Sequence, residues 1–415
     1  MDGTVAKGKG RRALELLGHL INGRRSLDRI LAVLAIGTLL IAWAIGTTHP
    51  AKDLTPYLGQ ALPGASRFDR LKNGMYAGWT GQVDSRQLVG YVAVGMANGY
   101  GGPMEVAVGV SPNGDILGLA IVEQRETGPF LAHVLDQNFP QSLIGKSYSD
   151  PFVLGQDVQG VTGATYTSTA LTEAVRQATA EVVNKELGLS VPPQPPPPLQ
   201  FGIPEVALVS LYAIGLIGHR RGFKFKKLFR WASLIVGLVI IGFLFDRPLA
   251  ISKISAFLMG YWPQWQSNLY WFLLMGGILF VFTVDSKNPY CEWFCPFGAA
   301  QECLGVIGGA QSRTPRKYRS LLIWLQRGLA WLAVLLALLF RNPGLSSYEV
   351  FGTLFDLKGT EIQFLLLVIV LLASLFIRRP WCDFLCPIRP VMDLIQMVRS
   401  WIKELWVNRR RRSAA

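Results

Sequence analysis

Long apolar stretches separated by polar ones dominate this chain. In order, they are Ile30–Ile45, Val206–Ile217, Trp231–Phe245, Leu269–Val284, Leu321–Phe340 and Ile362–Ile377. A hydrocarbon core of about 30 Å needs about 20 residues of helix. Five of the runs reach that length with modest extension, and Val206–Ile217 reaches it only with help from residues 201–204. The pattern predicts a polytopic α-helical membrane protein of about six transmembrane helices.

Between the first two runs the pattern changes. Residues 50–190 read as an extramembrane α+β domain. Period-two alternation predicts strands over Gly90–Met96, Met104–Val110 and Ile116–Val122. Turn signals stand at Asn98-Gly99 and at Asn113-Gly114-Asp115, the second a hairpin signal. Helical spacing of small and branched residues predicts a helix over Thr169–Leu187. The proline-rich stretch 191–204 is a stiff, extended spacer. It leads into a membrane unit over 205–390 with five helices, then a basic tail over 391–415 with a helix at Met392–Val407.

Composition agrees with the membrane class. Half of the 415 residues are apolar and 16% are charged, against roughly 25% charged in soluble chains. The net charge of +14 is explained by where the basic residues fall. Twenty-seven of them flank alternate ends of the apolar runs, in 1–29, the loops after the second and fourth runs, and the tail. The opposite short loops hold only Arg247, Lys253, Arg341 and Lys358. Positive residues stay cytoplasmic. Both termini are therefore expected inside a cell's cytoplasmic (inner) membrane, with the α+β domain outside and no nucleic-acid partner needed. Residues 30–48 are expected to be an uncleaved anchor, despite the twin-arginine look of Arg24-Arg25. Arg327, inside the fifth run, is expected to snorkel to the cytoplasmic interface. Tyr261, Trp262 and Trp265 are expected in an interfacial aromatic belt.

Two places carry candidate chemistry. The string Thr162-Gly163-Ala164-Thr165-Tyr166-Thr167 stands just before the predicted helix. Hydroxyls there cap a helix start, or the start holds a phosphate, with Gly163 and Ala164 letting backbone approach it. The second place is a repeat. Pro289-Tyr290-Cys291-Glu292-Trp293-Phe294-Cys295-Pro296 and Pro380-Trp381-Cys382-Asp383-Phe384-Leu385-Cys386-Pro387 match position by position, each after an apolar run. Cysteines at i and i+4 share a face of a helical turn. Two such pairs brought together offer four thiolates, suited to an iron–sulfur cluster or zinc. The following prolines are expected to end each helix. Cys303 matches Leu394 in the repeat and is expected not to be a ligand. The four histidines form no mid-span pair for a haem, and no nucleotide-binding glycine loop is visible.

Thr162-Gly163-Ala164-Thr165 resembles the (Ser/Thr)-Gly-Ala-Thr motif of the FMN-binding domains of sodium-pumping NADH:quinone reductase, the Rnf complex and the NosR/NirI family. The resemblance implies FMN joined covalently to Thr165 by a flavin transferase, with Thr167 the second-choice hydroxyl. It also implies Glu126 and Thr127 beside the ring, in a stretch resembling a Glu-Thr-Pro-Gly loop, although Gly128-Pro129 inverts the last pair. The family's acidic residue six places before the acceptor is Gln159 here, with Asp157 two positions earlier.

The cysteine strings resemble the Cys-x-x-x-Cys-Pro motifs of the same NosR/NirI type, whose membrane domain is named for 4Fe–4S binding. That implies Cys291, Cys295, Cys382 and Cys386 as ligands of a cluster. The layout is similar to the short, PceC-type form without a C-terminal ferredoxin domain. The implied function is transmembrane electron transfer through covalent FMN, between a cytoplasmic donor protein or membrane quinone and an extracytoplasmic (periplasmic) redox partner. A redox-sensing or maturation factor for a periplasmic reductase, and a thiol–disulfide relay, are the alternatives.

Overall fold

The structure, a computed structural model, describes residues 24–48, 53–81, 86–99, 101–125, 128–192, 199–218, 224–285, 288–310, 316–357 and 359–413. Helix α1 (Arg24–Thr47) leads through a short helix α2 (Thr55–Ala61) into the domain. Its five antiparallel strands lie in sequence order: β1 (Arg67–Arg70), β2 (Tyr76–Thr80), β3 (Gln87–Asn98), β4 (Pro103–Val110) and β5 (Ile116–Gln124). The three long strands are those the alternation predicts. β1 and β2, of four and five residues, are too short to show a period.

After α3 (Gly128–Asp136), helix α4 (Thr165–Lys185) crosses one face of the sheet, over β3 and β4. Val106, Val108 and Val110 pack there with Leu171, Val175 and Val182. Helix α2 covers the other face, where Leu58 and Leu62 meet Val92, Ala107 and Ala120. Each large apolar side chain buried this way stabilises the domain by ~1.5–3 kcal/mol. Close approach of α4 depends on Gly95, where a Cβ would stand 1.8 Å from the carbonyl oxygen of Ala174. The helix begins four residues before its predicted start, because its first turn, Thr165–Ser168, carries no apolar stripe.

The rest is helical: α5 (Ile203–Gly218), α6 (Lys226–Val236) running on as a π-helix over Gly237–Leu244, α7 (Ile251–Met259), α8 (Leu269–Asp285), α9 (Pro296–Ile307), α10 (Arg316–Leu339), α11 (Phe351–Phe355), α12 (Glu361–Phe376), α13 (Pro380–Phe384) and α14 (Ile388–Ser413). All six apolar runs fold as helix over nearly their whole length. Among the described residues, Asp28–Thr47, Lys226–Leu244 and Tyr318–Leu339 are long and apolar enough to cross a membrane. α5, α8 and α12 are apolar but shorter, at 16, 17 and 16 residues. Large apolar side chains such as Leu34, Phe280, Ile362 and Leu365 point outward from the bundle. Contiguous exposure of this kind suits lipid and is costly in water.

The bundle has two distinct ends. At one, Arg29 pairs with Glu404 at 2.9 Å and Arg399 donates to the carbonyl of Thr283 at 2.7 Å. Arg327 points to the same end and pairs with Asp28 at 3.7 Å, so its charge is held by a partner helix rather than only snorkelling. The sheet domain sits on the other end. Tyr261 accepts from Arg125 at 2.6 Å and from Arg341 at 3.0 Å, and Asn98 donates to the carbonyl of Trp262 at 3.4 Å. Tyr261 is thus part of the joint between domain and bundle. Trp262 and Trp265 are exposed beside it, as a belt requires.

Candidate functional site

The first candidate site is the start of α4. Gly163 adopts φ +79°, a left-handed conformation that costs glycine nothing, and turns the chain into the helix. Ala164 is at the N-cap position and has no side-chain acceptor, so no hydroxyl caps this helix in the usual way. The two candidate hydroxyls differ sharply. Thr165 is exposed on the first turn, whereas Thr167 is 1% exposed beneath the helix. Thr162 is exposed as well, and its carbonyl stands 3.2 Å from His133 Nε2. Ser168 is buried and tied to the loop, donating to the carbonyl of Ala164 and accepting from the N–H of Val161. The helix dipole and the N–H groups of a first turn favour a phosphate at such a start. Glu126 and Thr127, the residues expected beside the ring, lie outside the described residues.

Asp157 anchors the loop that leads to this turn. Its carboxylate accepts from the N–H groups of Phe152 and Val153 and from Lys146 Nζ at 3.0 Å. Burial alone would raise its pKa; the Val153 N–H and the Lys146 ammonium outweigh that and hold it below the ordinary range.

The second candidate site lies in the bundle. Tyr290–Phe294 forms one π-helical turn and Pro380–Phe384 one α-helical turn, α13. Cys291 and Cys382 sit in these turns. Their partners do not share the turn as the i, i+4 spacing suggests: Cys295 is extended, at φ −60° and ψ 119°, and Cys386 lies between helices. The following proline is the reason. Pro296 opens α9 and Pro387 precedes α14, so these prolines help begin the next helix instead of ending the previous one.

The four thiols nevertheless converge. All six pairs among Cys291, Cys295, Cys382 and Cys386 are close enough to interact electrostatically. Among the described residues, no three metal-ligating side chains gather tightly enough to hold a single metal ion. A cubane cluster places each thiolate on a different iron, so its ligands stand farther apart than four ligands around one zinc. Cys303, half-buried on α9, faces Glu302.

A polar frame holds the two motifs together. Gln301, fully buried, accepts from the N–H of Trp381 at 2.9 Å and donates to Cys382 Sγ at 3.3 Å. Gln326 donates to the carbonyls of Cys382 and Cys386, at 3.2 and 2.9 Å. Asn288 donates to Cys291 Sγ at 3.0 Å. Arg379 donates to the carbonyl of Cys291 at 2.7 Å and feels the charge of Cys291, Cys295 and Cys382. The buried Glu302 carboxylate stands 2.7, 3.1 and 3.0 Å from Arg230, Arg378 and Arg379. Arg379 Nε is not aligned as a hydrogen bond to it, and Arg379 Nη2 is buried with no hydrogen-bond partner among the described residues. An unmatched guanidinium donor beside three of the four thiols fits an anionic, cysteine-ligated cluster, which offsets the buried charge. Sequence reasoning missed this frame, although a signal was available: Gln301 and Glu302 interrupt an apolar stretch, and Arg378-Arg379 abuts the second motif.

Comparisons with known proteins match the two parts of the chain in which these candidate sites lie. A family described as an FMN-binding domain matches residues 99–180, which include Thr165. A family described as a 4Fe-4S binding domain matches 267–314 and 363–412, one cysteine pair in each part. Protein NirI of Paracoccus denitrificans is 26% identical over 208 residues, 45% of this chain and 30% of NirI. Regulatory protein NosR of Pseudomonas aeruginosa is 27% identical over 230 residues, 49% of this chain and 31% of NosR. One component of the proton-translocating ferredoxin:NAD(+) oxidoreductase complex of Clostridium ljungdahlii is 30% identical over 124 residues, 28% of this chain and 65% of that component. The chain thus spans between 30% and 65% of the length of these relatives.

Proposed function

The chain has the domain content of a NosR/NirI-type flavoprotein, an FMN-binding domain joined to a 4Fe-4S binding domain, and we propose that it carries electrons across a membrane between these two groups. An iron–sulfur cluster exchanges single electrons and FMN one or two, so together they pass electrons singly from one to the other. Cys291, Cys295, Cys382 and Cys386 hold the cluster. Arg379 offsets its negative charge, and Gln301 and Gln326 fix the second motif against the first. Thr165 holds the FMN through its phosphate, attached by a flavin transferase; Thr162, Gly163 and Ala164 shape the turn, and Glu126 and Thr127 flank the ring. The domain faces outside the cytoplasm and both termini face inside, a reading supported by the 27 basic residues against four. A cytoplasmic donor or membrane quinol supplies the electrons, and an extracytoplasmic redox partner takes them.

The single observation that carries this reading is the gathering of four thiols, three of them near the buried Arg379, whose Nη2 has no hydrogen-bond partner among the described residues. Glu302 accounts for part of the charge, and a thiol–disulfide relay gives no reason for the donor left unmatched. The test is iron content and low-temperature electron paramagnetic resonance after anaerobic purification of the five single Cys→Ser variants. Iron lost in four and kept in Cys303→Ser is the expected result. An iron-free wild type with paired disulfides favours the relay.

A further inference from the structure

Where the sheet domain rests on the bundle, a cavity of about 60 Å³ remains between them. One wall is the glycine-rich turn between β3 and β4, with Gly99 and Gly102. The facing wall is aromatic and cationic, with Tyr261, Trp271 and Lys253 of the bundle. Lys253 Nζ lies 5.4 Å from the centroid of the Trp271 ring. Tyr166, the neighbour of Thr165, closes one side and accepts a hydrogen bond from Arg247 at 3.2 Å.

Each wall selects for the same shape. Bare backbone at the glycines lets a flat group come close, and Tyr261 and Trp271 make the facing wall aromatic. The volume admits one edge of a ring system, not a whole nucleotide. The exposed Thr165 shares the first turn of α4 with Tyr166, a residue of the cavity wall, so the anchor stands next to the cavity. A lysine held over an indole beside a partly enclosed space stabilises negative charge that arrives there.

We propose that this cleft receives the pyrimidine edge of the isoalloxazine ring, and that Lys253 is a positioning residue that sets the flavin's affinity for electrons. The proposal rests on the reading that Thr165 carries FMN. Reduction of the ring adds electrons, supplied by the cysteine-ligated centre, and concentrates negative charge on its pyrimidine edge. Lys253 compensates that charge without giving up a proton. The membrane unit, and not the FMN domain alone, would then set the potential of the flavin and bring it against the bundle.

The experiment uses the full chain in detergent. Covalent FMN is first confirmed in each variant by fluorescence of the denatured band, and the flavin is then titrated potentiometrically. Lys253→Met is expected to shift the reduced-to-oxidised ratio at fixed potential about tenfold toward oxidised, or ~59 mV for a one-electron step. Lys253→Arg is expected to restore most of the shift. Trp271→Leu, folded and flavinylated, is expected to brighten native flavin fluorescence by removing an indole quencher from the cavity wall. An unchanged potential in a flavinylated Lys253→Met overturns the proposal. A wild-type band with no fluorescence overturns instead the reading of Thr165 on which it stands.

Discussion

The backbone N–H of Leu249 donates to the hydroxyl of Tyr290 at 2.7 Å, and Tyr290 immediately precedes Cys291. Two residues before Leu249, Arg247 donates to Tyr166, the neighbour of Thr165. The first cysteine motif and the start of α4 are thus joined by a short chain of contacts. Further packing follows the same direction. Phe294 lies against Gly237, Pro296 and Phe355 against Gly242, and Phe297, Phe351 and Trp381 stack at 5.1 to 6.4 Å between centroids. The motifs therefore dip into the bundle from one end, while residues 245–250 and 343–355 reach toward them from the end that bears the sheet domain. A cluster and a flavin at the opposite faces of a ~30 Å core would be too far apart for one electron hop. In the proposed reading, the contacts through Leu249 and Arg247 bring the two sites nearer than that.

Exposure separates the two candidate hydroxyls for flavin attachment. Thr165→Val is expected to abolish fluorescence of the denatured band. Thr167→Val is expected to keep it, at a cost of about 1 kcal/mol for a buried hydroxyl's hydrogen bond. A band that survives the first change and vanishes in the second would reassign the acceptor.

The loop before the flavin turn depends on the charge of Asp157. Its pKa is lowered on folding, so its stabilisation is present above the unfolded value near 3.8 and is lost as pH falls through the folded one. Asp157→Asn is expected to cost ~1.5–3 kcal/mol at neutral pH, the worth of hydrogen bonds to a charged group. The difference in melting temperature from wild type should shrink below about pH 4. A gap that persists unchanged at low pH would show that shape, not charge, holds the loop.

Arg379 is expected to tune the cluster and not to ligate it. Arg379→Gln leaves Glu302 paired with Arg230 and Arg378. Iron should stay bound, and the cluster midpoint should fall by roughly 59 mV per tenfold change in its redox ratio. An unchanged midpoint would place the guanidinium's charge away from the cluster.

Much of the layout was legible in the sequence, for reasons that differ by element. The runs that became α1, α6 and α10 declare themselves because lipid demands apolar residues on every exposed face. β3, β4 and β5 show because they are long apolar runs, covered by α4 on one face and α2 on the other, and are bounded by the turn residues Asn98-Gly99 and Asn113-Gly114. The cysteine strings show because the repeat is internal to the chain. The frame of Gln301, Gln326 and Arg379 was not legible, since its function appears only when two segments about 80 residues apart meet, as Gln301 and Trp381 do. Nor was the role of the two prolines, because Pro296 marks a helix start or a helix stop with equal ease until the backbone of Cys295 is known.

The central claim is that electrons reach the flavin through the cysteine site. Inverted membrane vesicles expose the cytoplasmic face, and an impermeant one-electron reductant such as titanium(III) citrate can be added to that face alone under anaerobic conditions. Flavin absorbance is then followed in wild type and in Cys291→Ser, Cys295→Ser, Cys382→Ser and Cys386→Ser, each checked for covalent FMN. The account predicts bleaching in wild type and only the background rate of empty vesicles in the four variants. Bleaching at the wild-type rate in iron-free variants would contradict it.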